Sequence, residues 1–122
     1  GGLVDVVGSG PDGGGGAQLL LPRLLQHVHA GRLALPHLVE LLSSGPARVY
    51  NVARKGRIAL GYDADLVLVD LAATHTVAGV TYHGWPVATV LRGELVARDG
   101  RLVSPPTGAP VRFSDTLRMV VL

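Results

Sequence analysis

The spacing of apolar positions changes part-way along the chain. Leu20, Leu21, Leu24, Leu25 and Val28 recur three and four residues apart, which predicts a helix over 17–30. Pro22 fits that helix only in its first turn, and Gly31 supplies a stop. Leu38, Val39, Leu41 and Leu42 repeat the pattern over 35–44, with Pro36 near the first turn. Gly45-Pro46 is expected to break this second helix, with a short helical turn over 46–51. Beyond Gly56 the pattern becomes that of strands. Leu66 to Val69 is an unbroken apolar run between acids, as expected of a strand covered on both faces. A hairpin is predicted from 86–91 and 94–98 around Arg92-Gly93, and a turn at Asp99-Gly100 leads into 101–103. Residues 3–8 read as a short buried strand and 9–16 as a glycine-rich loop. Residues 104–110 form a Pro/Gly-rich loop, and 117–122 read as a last strand. Helices first and strands afterwards imply two structural pieces.

Composition narrows the function classes. The 122 residues are 48% hydrophobic and 16% charged, with a net charge of +2. The basic residues are scattered and aromatics are 4%, so no nucleic-acid partner is expected. There is no cysteine, hence no disulfide framework or thiolate metal site. No run of about 18 apolar residues and no signal peptide is present, so a cytoplasmic protein with no membrane partner is expected.

Lys55 to Asp70 is the most specific segment. Gly56 and Gly61 punctuate it, Asp63-Ala64-Asp65 makes a polar turn, and the apolar run follows. It closely resembles the "KGRIxxGYDADLVLxD" segment of cyclic amidohydrolases, the dihydroorotase, hydantoinase and allantoinase group. Gly31-Arg32-Leu33, Leu38 to Ser43, Pro46-Ala47-Arg48, Gly84 to Thr89 and Gly93 to Val96 match further segments of that group in order. Residues 13–22 resemble its "GxPGxExxLP" segment, with Gly15 and Gln18 in place of the proline and the acid. The likeness of 13–22 and 84–89 is closest to the dihydroorotase branch.

The resemblance implies an α/β chain: the C-terminal part of a (β/α)8 amidohydrolase barrel followed by β-sandwich strands. Residues 1–55 would hold the last barrel strand and closing helices, and 56–122 the sandwich portion. Such a barrel typically needs about 250 residues, so most of it lies outside this chain. The activity implied is hydrolysis of a cyclic amide by a metal-activated water, with zinc in the family enzyme and a small cyclic amide as substrate.

The residues that would carry this chemistry are few. The family's last barrel strand is followed by an acid near the metal, whereas Ser9 here is followed by Gly10-Pro11-Asp12. Asp12 is the candidate replacement, two residues late. Gly13 and Gly16 are candidate substrate-binding positions, where backbone approaches the ring; a plain flexible loop explains them as well. His27-Val28-His29 has the letters of a metal pair, but on a helix residues two apart point about 200° from each other. No metal ligand is therefore assigned, and no zinc is expected to bind this chain alone. Lys55 reads as a solvated turn residue. Asp63 and Asp65 read as turn caps, Trp85 as packing just before a strand, and His37, His75 and His83 as isolated.

Two readings follow. One is the C-terminal portion of a dihydroorotase-like enzyme or of a hydantoinase or allantoinase relative. The other is a non-catalytic relative supporting a partner enzyme, suggested by the missing acid after Ser9. In both, helices patterned to cover a barrel need other cover, so the expected partner is the remainder of the barrel or a second copy.

Overall fold

The computed structural model describes residues 16–111. The strands expected over 3–8 and 117–122, and the loop before Gly16, lie outside the described residues. Helix α1 runs from Gly16 to His29, as its spacing dictates. It ends in a Schellman turn: Gly31 takes φ +75°, its N–H reaches the Val28 carbonyl at 3.0 Å, and the Arg32 N–H reaches the His27 carbonyl at 2.9 Å. Pro22 departs from expectation. It stands in the second turn of α1, not the first. Its ring is fully buried, and that burial offsets the hydrogen bond a mid-helix proline forfeits.

The second helix also differs. Helix α2, Leu35–Val39, does not end at Gly45-Pro46. It widens into a π-helical turn over Glu40–Ser44 and resumes as α3, Gly45–Val49. The Gly45 N–H bonds to the Glu40 carbonyl, five residues back. A proline at 46 has no N–H to give and crowds the carbonyl four residues earlier. Widening the preceding turn relieves that crowding without breaking the path.

Four antiparallel strands follow in the order β1-β2-β3-β4: Leu66–Val77, Val80–Leu91, Glu94–Arg98 and Arg101–Leu102. Three two-residue turns join them, each with both φ angles positive: Ala78-Gly79, Arg92-Gly93 and Asp99-Gly100. This geometry matches the strand twist. The last two turns were expected; the first was not. β1 runs eight residues past Val69, and β2 begins at Val80, six residues before Pro86, so that Trp85 is inside a strand. The β1–β2 ladder breaks between Asp70 and Thr74, where the Asp70 carboxylate accepts the Ala72 N–H at 2.9 Å. That side-chain bond satisfies one of the backbone donors the break leaves unpaired.

The run from Leu66 to Val69 is not covered on both faces. β1 is an edge strand, with Val67 52% and Leu68 49% exposed. The described strands form one sheet, not two packed ones. Burial is concentrated elsewhere: Leu25, Leu38, Leu41, Tyr82 and Ala88 make the core. Helix α1 lies on β2 and touches α2. Gly84, at φ +91°, permits that approach, because a Cβ there would stand 3.3 Å from Leu25 Cβ.

Candidate functional site

Two clusters of polar side chains join separate elements of the fold. The first joins the helical segment to the sheet. Lys55 Nζ lies 2.5 Å from Asp65 Oδ2 and 2.9 Å from Asp63 Oδ2. Asp65 Oδ1 accepts the Arg92 N–H at 2.9 Å. The Ala64 carbonyl accepts the Gly93 N–H at 2.9 Å, and the Arg54 carbonyl accepts the Asp63 N–H at 2.9 Å. The acidic turn thus grips the β2–β3 hairpin with one side and the only lysine with the other. Lys55 is a structural ion-pair partner, not the solvated residue expected from its glycine neighbour. Its hydrogen bond to Asp65, then that to Asp63, raises its pKa above the ordinary 10.5. The Lys55 bond, aided by the Arg92 N–H, holds Asp65 below the ordinary 3.8.

The second place is the α1–β2 contact. Gln26 Oε1 accepts the His83 backbone N–H and lies 3.2 Å from His83 Nδ1. Gln26 Nε2 donates to the Thr81 carbonyl at 3.3 Å. The His29 and His83 rings stack at 4.1 Å with 5° between planes. On β1 and β2, His75 stacks on Trp85 at 4.1 Å. His75 and His83 are therefore not isolated. The signal available in sequence was Gln26, a polar residue amid the apolar positions of α1.

His27 and His29 diverge as helical geometry requires. His27 Nδ1 accepts from Arg32 Nε at 3.0 Å, while His29 turns to His83. Among the described residues no three His, Cys, Asp or Glu side chains gather as metal ligands would. The described residues do not fit a zinc centre. Asp12 and Gly13 lie outside the described residues; Gly16 opens α1. No helix among the described residues is long and apolar enough to cross a membrane.

The amidohydrolase family pattern matches residues 7–96. The chain belongs to the amidohydrolase family. Its amidohydrolase relatives fall in the cyclic amide group. It is 41% identical over 112 residues to an allantoinase of Rubrobacter xylanophilus, covering 80% of this chain and 25% of the relative. It is 35% identical over 107 residues to a dihydroorotase of Methanothermobacter thermautotrophicus, covering 76% and 25%. A solved D-hydantoinase superposes with a TM-score of 0.72 at 33% identity, over 80% of this chain and 24% of that one. An L-hydantoinase (dihydropyrimidinase) from Arthrobacter aurescens gives 0.65 at 33% identity, over 69% and 22%. The chain spans about a quarter of the length of these amidohydrolases. The Lys55–Asp65 knot falls inside the matched residues, where it docks a loop on a hairpin.

Proposed function

We propose that this chain is the closing portion of a cyclic amide hydrolase, with dihydroorotate as substrate. In that reaction an oxygen of water bonds to the ring carbonyl carbon, the ring C–N bond breaks, and a proton passes to the departing nitrogen. The observation that carries the reading is the family match across residues 7–96, with relatives that are ring-amide hydrolases. The likeness of residues 13–22 and 84–89 to the dihydroorotase branch supports dihydroorotate among the rings these relatives open. Zinc dependence and a cytoplasmic location belong to the same proposal, with the metal held by residues other than 16–111. So does a boundary near Gly56, with residues 1–55 ending the barrel and 56–122 giving the sandwich portion. The change from helices to strands supports it. Asp12 remains the proposed acid beside the reaction centre, with Gly13 and Gly16 near the substrate.

The test is an assay of the protein translated from the whole reading frame that contains these residues. It is supplied with zinc and given dihydroorotate, allantoin and hydantoin in parallel. Ring opening fastest for dihydroorotate is expected. Faster turnover of allantoin would move the assignment to that ring. No turnover of any of the three would favour the non-catalytic supporting subunit.

A further inference from the structure

A cavity of about 520 Å³ opens where α3 meets the turn that follows it, lined by Ser44, Arg48, Asn51, Lys55, Arg57 and Tyr62 together with Ala47 and Val52. Three of these side chains are cationic and none is a carboxylate. We propose that this cavity binds a small oxyanion, a phosphate ester or a polycarboxylate, through Arg48 and Arg57.

The charges decide the class of ligand. Arg57 has no ion pair among the described residues, and Arg48 reaches Glu40 only at 3.8 Å with both side chains more than half exposed. Two guanidinium forks are therefore open to an oxyanion, which they bind in bidentate fashion. Lys55 is committed to Asp63 and Asp65, so it contributes a wall rather than the main attraction. Arg54 and Arg92, which line the adjoining cavity with Asp63 and Lys55, offset those two acids. The volume lies within the range of small-molecule sites. A concave pocket of this kind also differs from the basic stripe a nucleic acid requires.

The loop that carries Arg57 is fixed at both ends. Helix α3 closes in a Schellman turn, with Asn51 at φ 54° and its N–H on the Arg48 carbonyl at 3.3 Å. The Val52 N–H bonds to the Ala47 carbonyl at 2.8 Å, and the Asp63 N–H to the Arg54 carbonyl. Gly56 at φ +82° presses against the Ser43 backbone in between. The pocket is thus formed before any ligand arrives, which lowers the ordering cost of binding.

The test is calorimetric titration of the protein translated from the whole reading frame that contains these residues, in buffer without added metal, with inorganic pyrophosphate, and separately with citrate. Saturable binding of at least one anion is expected, weakening as sodium chloride is added. Arg57→Gln should weaken it about tenfold, as loss of a charged hydrogen bond predicts, and a further Arg48→Gln should abolish it. Arg57→Lys should retain part of the affinity. Arg101→Gln, on β4, should change nothing. Circular dichroism confirms that each variant is folded. Preference for pyrophosphate identifies a phosphate ligand, and preference for citrate a carboxylate one. No saturable binding of either anion, or an equal loss in Arg101→Gln, overturns the proposal.

Discussion

Lys55 Nζ stands 2.5 Å from Asp65 Oδ2, and this pair fastens the loop after α3 to the β2–β3 hairpin. Asp65 also accepts the Arg92 N–H, so Asp65→Ala removes an ion pair and leaves a backbone donor without its acceptor. We expect a loss of about 1–2 kcal/mol at pH 7, read by urea denaturation. The pH dependence follows from the shifts. Asp65 is held below 3.8, so its contribution is present above the unfolded value and fades as pH falls through the lower folded one. Lys55 is raised above 10.5, so its contribution is full below that value and fades as pH rises through the higher folded one. The stability gap between the parent chain and Asp65→Ala should be flat near neutrality and shrink at both extremes. A gap that widens in acid would contradict the assignment.

Gly56→Ala is expected to be the costliest glycine substitution among the described residues. The new Cβ would stand 2.5 Å from the Ser43 carbonyl oxygen, at a φ of +82°. Left-handed backbone alone costs about 1–2 kcal/mol, and displacing a helix carbonyl adds about 1–3 more. Gly93→Ala has the same φ but open space around its Cβ, so only the backbone cost of about 1–2 kcal/mol applies. Equal losses in the two variants would show that contact with Ser43 does not matter.

These glycines mark what sequence can carry. Gly31, Gly93 and Gly100 were legible as turns because each follows a periodic run. Gly79 was not, because Ala78 before it is an unusual residue for a left-handed position; the second half of β1 and the start of β2 were missed with it. The exposure of Leu66 to Val69 was equally hidden, since an apolar run has the same letters whether its face is covered or open. The Lys55–Asp65 pairing was within reach: the chain's only lysine precedes two acids separated by one residue. What obscured it was Gly56, which suggested solvent rather than a tight approach to α3. The π-helical turn needed knowledge of how the chain absorbs Pro46, which spacing alone does not reveal.

Leu25 anchors α1 on β2. It is 2% exposed and faces Gly84. Leu25→Ala should cost about 2–5 kcal/mol. Gln26→Leu keeps the volume but leaves the His83 N–H and the Thr81 carbonyl without their side-chain partner. It should cost about 1–3 kcal/mol. Amide exchange tests both: β2 around His83 should lose protection in each variant, while β3 and β4 lose it only if the sheet unfolds as one unit. Unchanged exchange at His83 in Gln26→Leu would remove Gln26 from this role.

The isolated chain is expected to self-associate at micromolar concentration. Val67, Leu68 and Leu71 on edge strand β1 are about half exposed, and Leu60 is fully exposed. Burying one such side chain contributes roughly 1.5–3 kcal/mol, and an open strand edge adds a row of backbone groups ready to pair. Sedimentation should therefore detect dimers or larger species. Leu68→Lys places a charge on that strand, where natural edges carry them to block pairing, and should shift the distribution toward monomer. Its thermal transition should survive, because Leu68 lies outside the core. A parent chain that sediments as a monomer and melts cooperatively would show that the exposed strand needs no cover. The rest of the barrel would then lose its claim as the expected partner.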